Sequence, residues 1–180
     1  MNTILQRICV TAIASVCLFS NAAHAELKAG DTAPAFQAQA YLGGKAFTFK
    51  LADALKRGPV VVYFFPAAYT TGCNVEAHLF SEAIDQFKAQ KASVIGVTAG
   101  NLDQLSKFSA DTKLCGGKFP VAADPGAKIA KSYDAVLALK PGWASRTSYV
   151  ISPSGKIVFV HSEMSPNGHV KATLDAVKTL

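Results

Sequence analysis

Between residues 58 and 65 the chain reads GPVVVYFF, an unbroken run of apolar, β-branched and aromatic side chains that Pro66 closes. A run this short, with no polar alternation, marks a strand buried on both faces at the centre of a helix-covered sheet. A helical pattern follows. Val75, Leu79 and, one position round, Phe80, Ile84 and Phe87 recur at helical spacing, and Gly72 marks the helix start. ASVIGVTAG reads as a second short buried strand. NLDQLSKFSADTKL places Leu102, Leu105 and Phe108 on one helical face behind Asn101, a residue type that suits an N-cap. KFPVAADP predicts a strand ending in a turn, and GAKIAKSYDAV a helix through Ile129, Tyr133 and Val136. SRTSYVISPSGKIVFVHS alternates as a hairpin about Pro153-Ser154-Gly155, and GHVKATLDAVKTL closes the chain as an amphipathic helix through Val170, Leu174 and Val177. Ahead of the central strand, LKAGDTAPAF is loop-like, and AFTFKLADAL reads as a short strand and then a turn.

Strands alternating with helices predict an α/β fold: a mostly parallel sheet with helices on both faces, made mixed by the antiparallel hairpin. That is the layout of a thioredoxin-like fold, although periodicity alone leaves it one candidate among several.

The first 25 residues follow a different pattern. MNTILQR is a short positive segment, ICVTAIASVCLF an apolar run, and Ala23-His24-Ala25 a small-x-small site. That order predicts an export signal at residues 1–25, cleaved before Glu26, with a single domain over 26–180 in the periplasm or otherwise outside the cytoplasm. No later stretch reaches the roughly 18 apolar residues of a membrane span. The chain carries 18 Lys and Arg against 12 Asp and Glu, a net +6. The basic residues are scattered singly apart from Lys56-Arg57, and no basic stripe with interleaved aromatics speaks for nucleic acid.

Of the four cysteines, Cys9 and Cys17 fall in the leader, which leaves Cys73 and Cys115 in an oxidising setting. The plain expectation there is one structural disulfide. The surroundings of Cys73 suggest more. It sits behind a Thr-Thr-Gly turn, in the first turn of a helix, at the carboxyl edge of the central strand, where open α/β sheets bind ligands. Helix N-termini and nearby cations favour a thiolate and can lower a cysteine pKa from about 8.5 to roughly 3.5–7.5. The alternative is a buried, inert thiol.

PAAYTTGC resembles the peroxiredoxin active-site motif, Pro-x-x-x-Thr-x-x-Cys, with Pro66, Thr70 and Cys73 on its three fixed positions and Glu76 three residues on. SRTSYVISPSGKI resembles the family's arginine-bearing strand and hairpin, with Arg146 on the arginine position. The resemblance spans residues 26–180 and is closest to thiol peroxidases of the bacterioferritin-comigratory-protein (PrxQ) type. It implies a thioredoxin-like peroxiredoxin fold, no metal or organic cofactor, a peroxide substrate, a thioredoxin-like or other thiol reductant, and a monomer or homodimer. It implies that Cys73 is peroxidatic and becomes a sulfenic acid. Thr70, Arg146 and the backbone N–H groups of residues 72 and 73 would then stabilise the leaving oxygen, Pro66 would shield the sulfur, and Glu76 would hold Arg146. The bland alternatives are a turn or cap role for Thr70, a favourable helix-start charge for Glu76 and a surface side chain for Arg146.

The sequence departs from the family in one respect. Many members carry a resolving cysteine five residues after the first, where this chain has His78. Others place it in the next helix, and Cys115, near the end of LDQLSKFSADTKL, occupies that region. Intermolecular pairing or an external thiol are the alternatives to Cys115. His78, His161 and His169 show no metal spacing and read as surface or helix residues. Trp143 either borders the pocket or packs in its own loop. A second class of function is an exported thioredoxin-fold disulfide oxidoreductase or metallochaperone. No Cys-x-x-Cys is present, Arg146 and no proline stands directly before the strand of SRTSYVI, and Cys115 is remote from Cys73 in sequence, all of which weigh against that class.

Overall fold

A computed structural model describes residues 27–180. The proposed leader and its cleavage site lie outside the described residues. The elements in chain order are β1 (Gln37–Leu42), β2 (Lys45–Lys50), α1 (Leu51–Leu55), β3 (Val60–Phe64), α2 (Thr71–Ala89), β4 (Ser93–Thr98), α3 (Leu105–Ala110, behind a 3-10 turn at Leu102–Gln104), β5 (Val121–Ala123), α4 (Lys128–Ser132), β6 (Thr147–Ile151), β7 (Ile157–Ser162) and α5 (His169–Val177). The strands form one seven-stranded sheet in the order β2-β1-β5-β4-β3-β6-β7.

The central strand behaves as its composition demands. All five residues of β3 are buried, and their side chains divide by parity. Val61, Tyr63 and the following Phe65 enter a core with Phe80, Ile84 and Phe87 of α2, Phe108 of α3 and Leu174 of α5. Val60, Val62 and Phe64 enter a second core with Leu51 of α1, Ala130 of α4, Tyr133 and Tyr149. Each such side chain contributes roughly 1.5–3 kcal/mol by leaving water, so the two faces fix β3 between helical layers.

Several expectations need correcting. The sheet is mixed, but it is not mostly parallel: only β3–β4 and β4–β5 pair in parallel, and the remaining pairs are antiparallel. QAQAYL forms β1, a strand with only Ala40 buried, too weak in apolar alternation to show in the pattern. LADAL is the helix α1 and not a turn, with Leu51 and Ala54 facing inward. On α2 the buried face runs through Cys73, Glu76, Ala77, Phe80, Ser81, Ala83, Ile84 and Phe87, while Val75 is exposed. α3 ends at Ala110, so Cys115 lies in the turns beyond it. Asn101 stands at the N-cap position of the 3-10 turn, but its side chain makes no capping bond; the residue is left-handed, and its amide donates to the Ala68 carbonyl at 2.8 Å. α4 stops at Ser132, and Val136 forms an isolated bridge with Ala144. Among the described residues no helix is long and apolar enough to cross a membrane.

Candidate active site

The site is assembled where β3 ends. The loop from Pro66 to Thr70 leads into α2, and the neighbouring β4 holds it from below. Thr98 Oγ1 donates to the Pro66 carbonyl at 3.0 Å and accepts the Gly100 N–H at 3.1 Å, and Ala67 bridges to Gly100. Pro66 is buried and Thr70 half-buried. The first main-chain bond of α2 runs from the Asn74 N–H to the Thr70 carbonyl at 2.9 Å. The N–H groups of Thr71, Gly72 and Cys73 therefore point out of the helix start, where the helix dipole is positive. Cys73 lies in this first turn with 1% exposure. The Thr70 hydroxyl does not reach Cys73. It donates to the Ala67 carbonyl at 3.1 Å, which leaves its lone pairs as acceptors.

Arg146 arrives from a distant part of the chain. Because β6 runs antiparallel to β3 with Thr147 opposite Phe64, the residue just before β6 is delivered to the carboxyl end of β3. The guanidinium is 4% exposed, and each of its three nitrogens has a partner. Nη2 points at Cys73 Sγ, 3.5 Å away, Nη1 donates to Glu76 Oε2, and Nε donates to the Met164 carbonyl at 3.0 Å. Glu76, one helical turn beyond Cys73 on the same face, is completely buried. Burial pushes its carboxyl up, to about 8, against the opposing pull of Arg146. Burial works against the Arg146 charge, and Glu76 and Cys73 beside it more than restore it.

Cys115 is a free thiol, as is Cys73, and both belong to the core around Tyr63 and Phe80. Burial, helped by Asp111, raises the Cys115 pKa far above the usual thiol range. Its turn is well tied: Leu114 and Gly116 N–H donate to the Asp111 carbonyl at 2.9 and 2.8 Å, and Lys118 Nζ donates to the Ser81 carbonyl at 3.1 Å. Trp143 packs within its own loop, where the Lys140 ammonium covers its ring at 3.1 Å.

The structure thus brings Cys73, Glu76 and Arg146 into contact, with Pro66 and Thr70 in the loop ahead of them. Two histidines differ from the expectation of surface or helix residues: His161 lies on strand β7, and His169, although it opens helix α5, is not at the surface. His169 is no surface residue but wholly buried, with Nδ1 at 2.9 Å from Ser148 Oγ and 3.6 Å from Glu76 Oε1. A lone histidine opening an amphipathic helix gives no sign of this. His161 is mostly buried on its strand, whereas His78 is exposed on α2, as a helix surface residue should be. Among the described residues no cluster of three or more His, Cys, Asp or Glu is placed to hold a metal ion.

A search of family models matches residues 29–160 to the AhpC/TSA family. The chain belongs to that family. Among curated relatives, the chloroplastic peroxiredoxin Q of Sedum lineare is 29% identical over 164 residues, covering 91% of this chain and 84% of that protein. The chloroplastic peroxiredoxin Q of Oryza sativa subsp. japonica is 30% identical over 126 residues, 69% of this chain and 57% of that longer protein. Among solved structures, the peroxidoxin BcpB of Mycobacterium tuberculosis superposes with a TM-score of 0.75 at 26% identity, covering 86% of this chain and 99% of that one. AhpC of the same organism, at 23% identity and a TM-score of 0.73, shares the fold. This AhpC/TSA chain is therefore a thiol peroxidase of the PrxQ-like kind, with a thioredoxin-like peroxiredoxin fold. The family implies a peroxide substrate and a thiol reductant. Nothing in these likenesses favours a disulfide oxidoreductase or a metallochaperone.

Proposed function

We propose that Cys73 is the peroxidatic cysteine and that Cys115 resolves it within the same chain. The observation that carries this reading is the Arg146 guanidinium, held by Glu76 and the Met164 carbonyl so that Nη2 faces the Cys73 sulfur at the start of α2. A thiolate there accepts a charge-assisted bond. The sulfur attacks one oxygen of hydrogen peroxide or of an organic hydroperoxide. The O–O bond breaks, its electron pair leaves with the far oxygen, and that oxygen takes a proton and departs as water or an alcohol. Arg146 and the outward N–H groups of Gly72 and Cys73 stabilise the developing charge. The Thr70 hydroxyl, which spends its proton on Ala67, accepts a hydrogen bond from the peroxide. Pro66 keeps bulk water off the sulfur. The Cys115 thiol then displaces the sulfenic hydroxyl as water, forming the Cys73–Cys115 disulfide, and a thioredoxin-like dithiol reduces it and is itself oxidised.

Cys73→Ser should abolish peroxide consumption. Arg146→Ala should slow it by about 10²–10³-fold, the loss seen when one donor is removed from comparable anion-stabilising sites. Stopped-flow peroxide reduction measures both, and a near-normal rate in the arginine variant would sink the assignment.

Residues 26–180 form, on this reading, a single exported domain. Support comes from the order of charge, apolar run and small residues in the leader. Mass spectrometry of the protein purified from its native compartment should find Glu26 at the N-terminus; a Met1 form retained in the cytoplasm would refute export.

A further inference from the structure

Glu76 has two carboxylate oxygens, and the reaction above uses one. Oε2 accepts from Arg146, whereas Oε1 is sealed from water with no hydrogen-bond partner. An unpartnered buried polar atom is costly, so its neighbour matters. That neighbour is His169 Nδ1, 3.6 Å away, and neither side chain is exposed. The other ring nitrogen is spoken for: Nε2 lies 3.0 Å from the Glu163 carbonyl oxygen, which can only accept, so Nε2 carries a proton. Nδ1 is the variable atom. It faces Ser148 Oγ at 2.9 Å, a hydroxyl able to donate or accept, and Glu76 Oε1.

The charged and titratable groups around this pair come from every element that packs on it. Arg146 lies ahead of β6, and His161 of β7 stands edge-on to the His169 ring at 4.5 Å. Glu163 follows β7 and, like Arg146 and His161, acts on the His169 ring. Tyr63 of β3 faces Glu76, and burial keeps its phenol neutral. A Cys73 thiolate, a Glu76 carboxylate and the Arg146 guanidinium sum to one negative charge. Uncompensated charge in a site closed to water is strongly disfavoured. One proton held between Glu76 and His169 restores neutrality.

We propose that His169 is a positioning residue: it shares a single proton with Glu76, which leaves the charge of Arg146 to the Cys73 sulfur and the peroxide. The inference rests on Cys73 being peroxidatic. Burial agrees with it, pushing His169 down to about 4 and Glu76 up to about 8, so that one proton resides on the pair between those values, whichever atom bears it. Without His169, the proton loses its second seat and leaves at lower pH. The bare carboxylate then claims Arg146 and repels the approaching charge.

Two measurements test this. In His169→Gln, which keeps size and hydrogen bonding but cannot take the proton, the ratio of variant to wild-type peroxide rate constants should fall about sixfold between pH of about 6.5 and 8.5, the effect of roughly one unit of displacement. A flat ratio overturns the proposal. The second needs no catalysis. In the wild-type protein, the His169 ring nitrogens (15N NMR) and the Glu76 carboxyl carbon (13C NMR) should respond at one shared midpoint near neutral to alkaline pH. That step should vanish from His169 in Glu76→Gln. Independent midpoints, or a His169 titration indifferent to Glu76→Gln, would refute proton sharing even if the histidine variant failed to fold. A wild-type protein that consumes no peroxide would instead strike at the assignment of Cys73, and the NMR arm would still decide the pairing.

Discussion

A methyl group on residue 72 would sit 2.9 Å from Arg146 Nη2. Glycine is needed there for close approach and not for backbone freedom, so alanine should fit the helix and even favour it, by roughly 0.5–1 kcal/mol. Gly72→Ala should therefore keep or raise the thermal midpoint while lowering the peroxide rate constant about 10–100-fold, since small displacements of a positioned group have effects of that size. An unchanged rate would mean that the guanidinium position is not critical. Glu76 and His169 make a second prediction at this scale. Between pH 4.5 and 6.5, the ordinary Glu and His values, the unfolded chain holds one proton on these two residues, and so does the fold. Their contribution to stability is flat there. From 6.5 to about 8 the fold still holds its proton while the unfolded chain has none, so stability falls as pH rises, by roughly 2 kcal/mol. Denaturant titrations should show this decline, and Glu76→Gln should remove it. Pro66, Thr70 and Cys73 were legible in the sequence because they lie in one short stretch whose spacing carries the signal. His169 was not, because its meaning depends on Ser148 and Glu76, which only the docking of α5 brings to it.

At the scale of elements, the proposed catalytic cycle requires the start of α2 and the turn after α3 to give way. Both thiols are buried in an intact core, and Cys115 is held as a thiol, although the thiolate is the species that attacks. Local opening does two things at once: it frees the Cys115 segment to move and lets water relieve the burial that keeps its proton on. Gly116 and Gly117, both at positive φ, already supply the backbone latitude behind it. Tyr69, edge-on to Phe108 at 5.3 Å and facing Asp111, ties the two segments together. Peroxide-treated protein should yield an intramolecular Cys73–Cys115 peptide, and amide exchange should accelerate over residues 71–74 and 111–118 relative to the reduced form. Cys115→Ser should accumulate sulfenic and then sulfinic acid; wild-type turnover by that variant with a thioredoxin-type reductant would rule out Cys115. The helix of residues 71–89 was readable from its period, and Phe80, Ile84 and Phe87 do face inward, but Val75 does not, because Val75 and Phe80 look equally apolar until the sheet chooses between them.

For the whole molecule, alternation of strands and helices identified the α/β class and the central strand, and it misjudged the pairing. Sequence order does not say that β6 inserts beside β3 or that β5 sits against β1; those choices are made by long-range packing of the two core faces. The insertion of β6 has a further consequence. Cys73 and Arg146 are 73 residues apart in the chain, and the register of β6 on β3 is what joins them. On the proposed reading, a chain still folding, or still crossing a membrane, carries Cys73 without its guanidinium, its helix start or its shield from water. Full reactivity toward peroxide is then acquired only once β6 has docked on β3. Completion of the fold itself serves as the safety catch on the thiol, and an unfinished chain spends its cysteine on the oxidant only at the slow pace of an ordinary thiol.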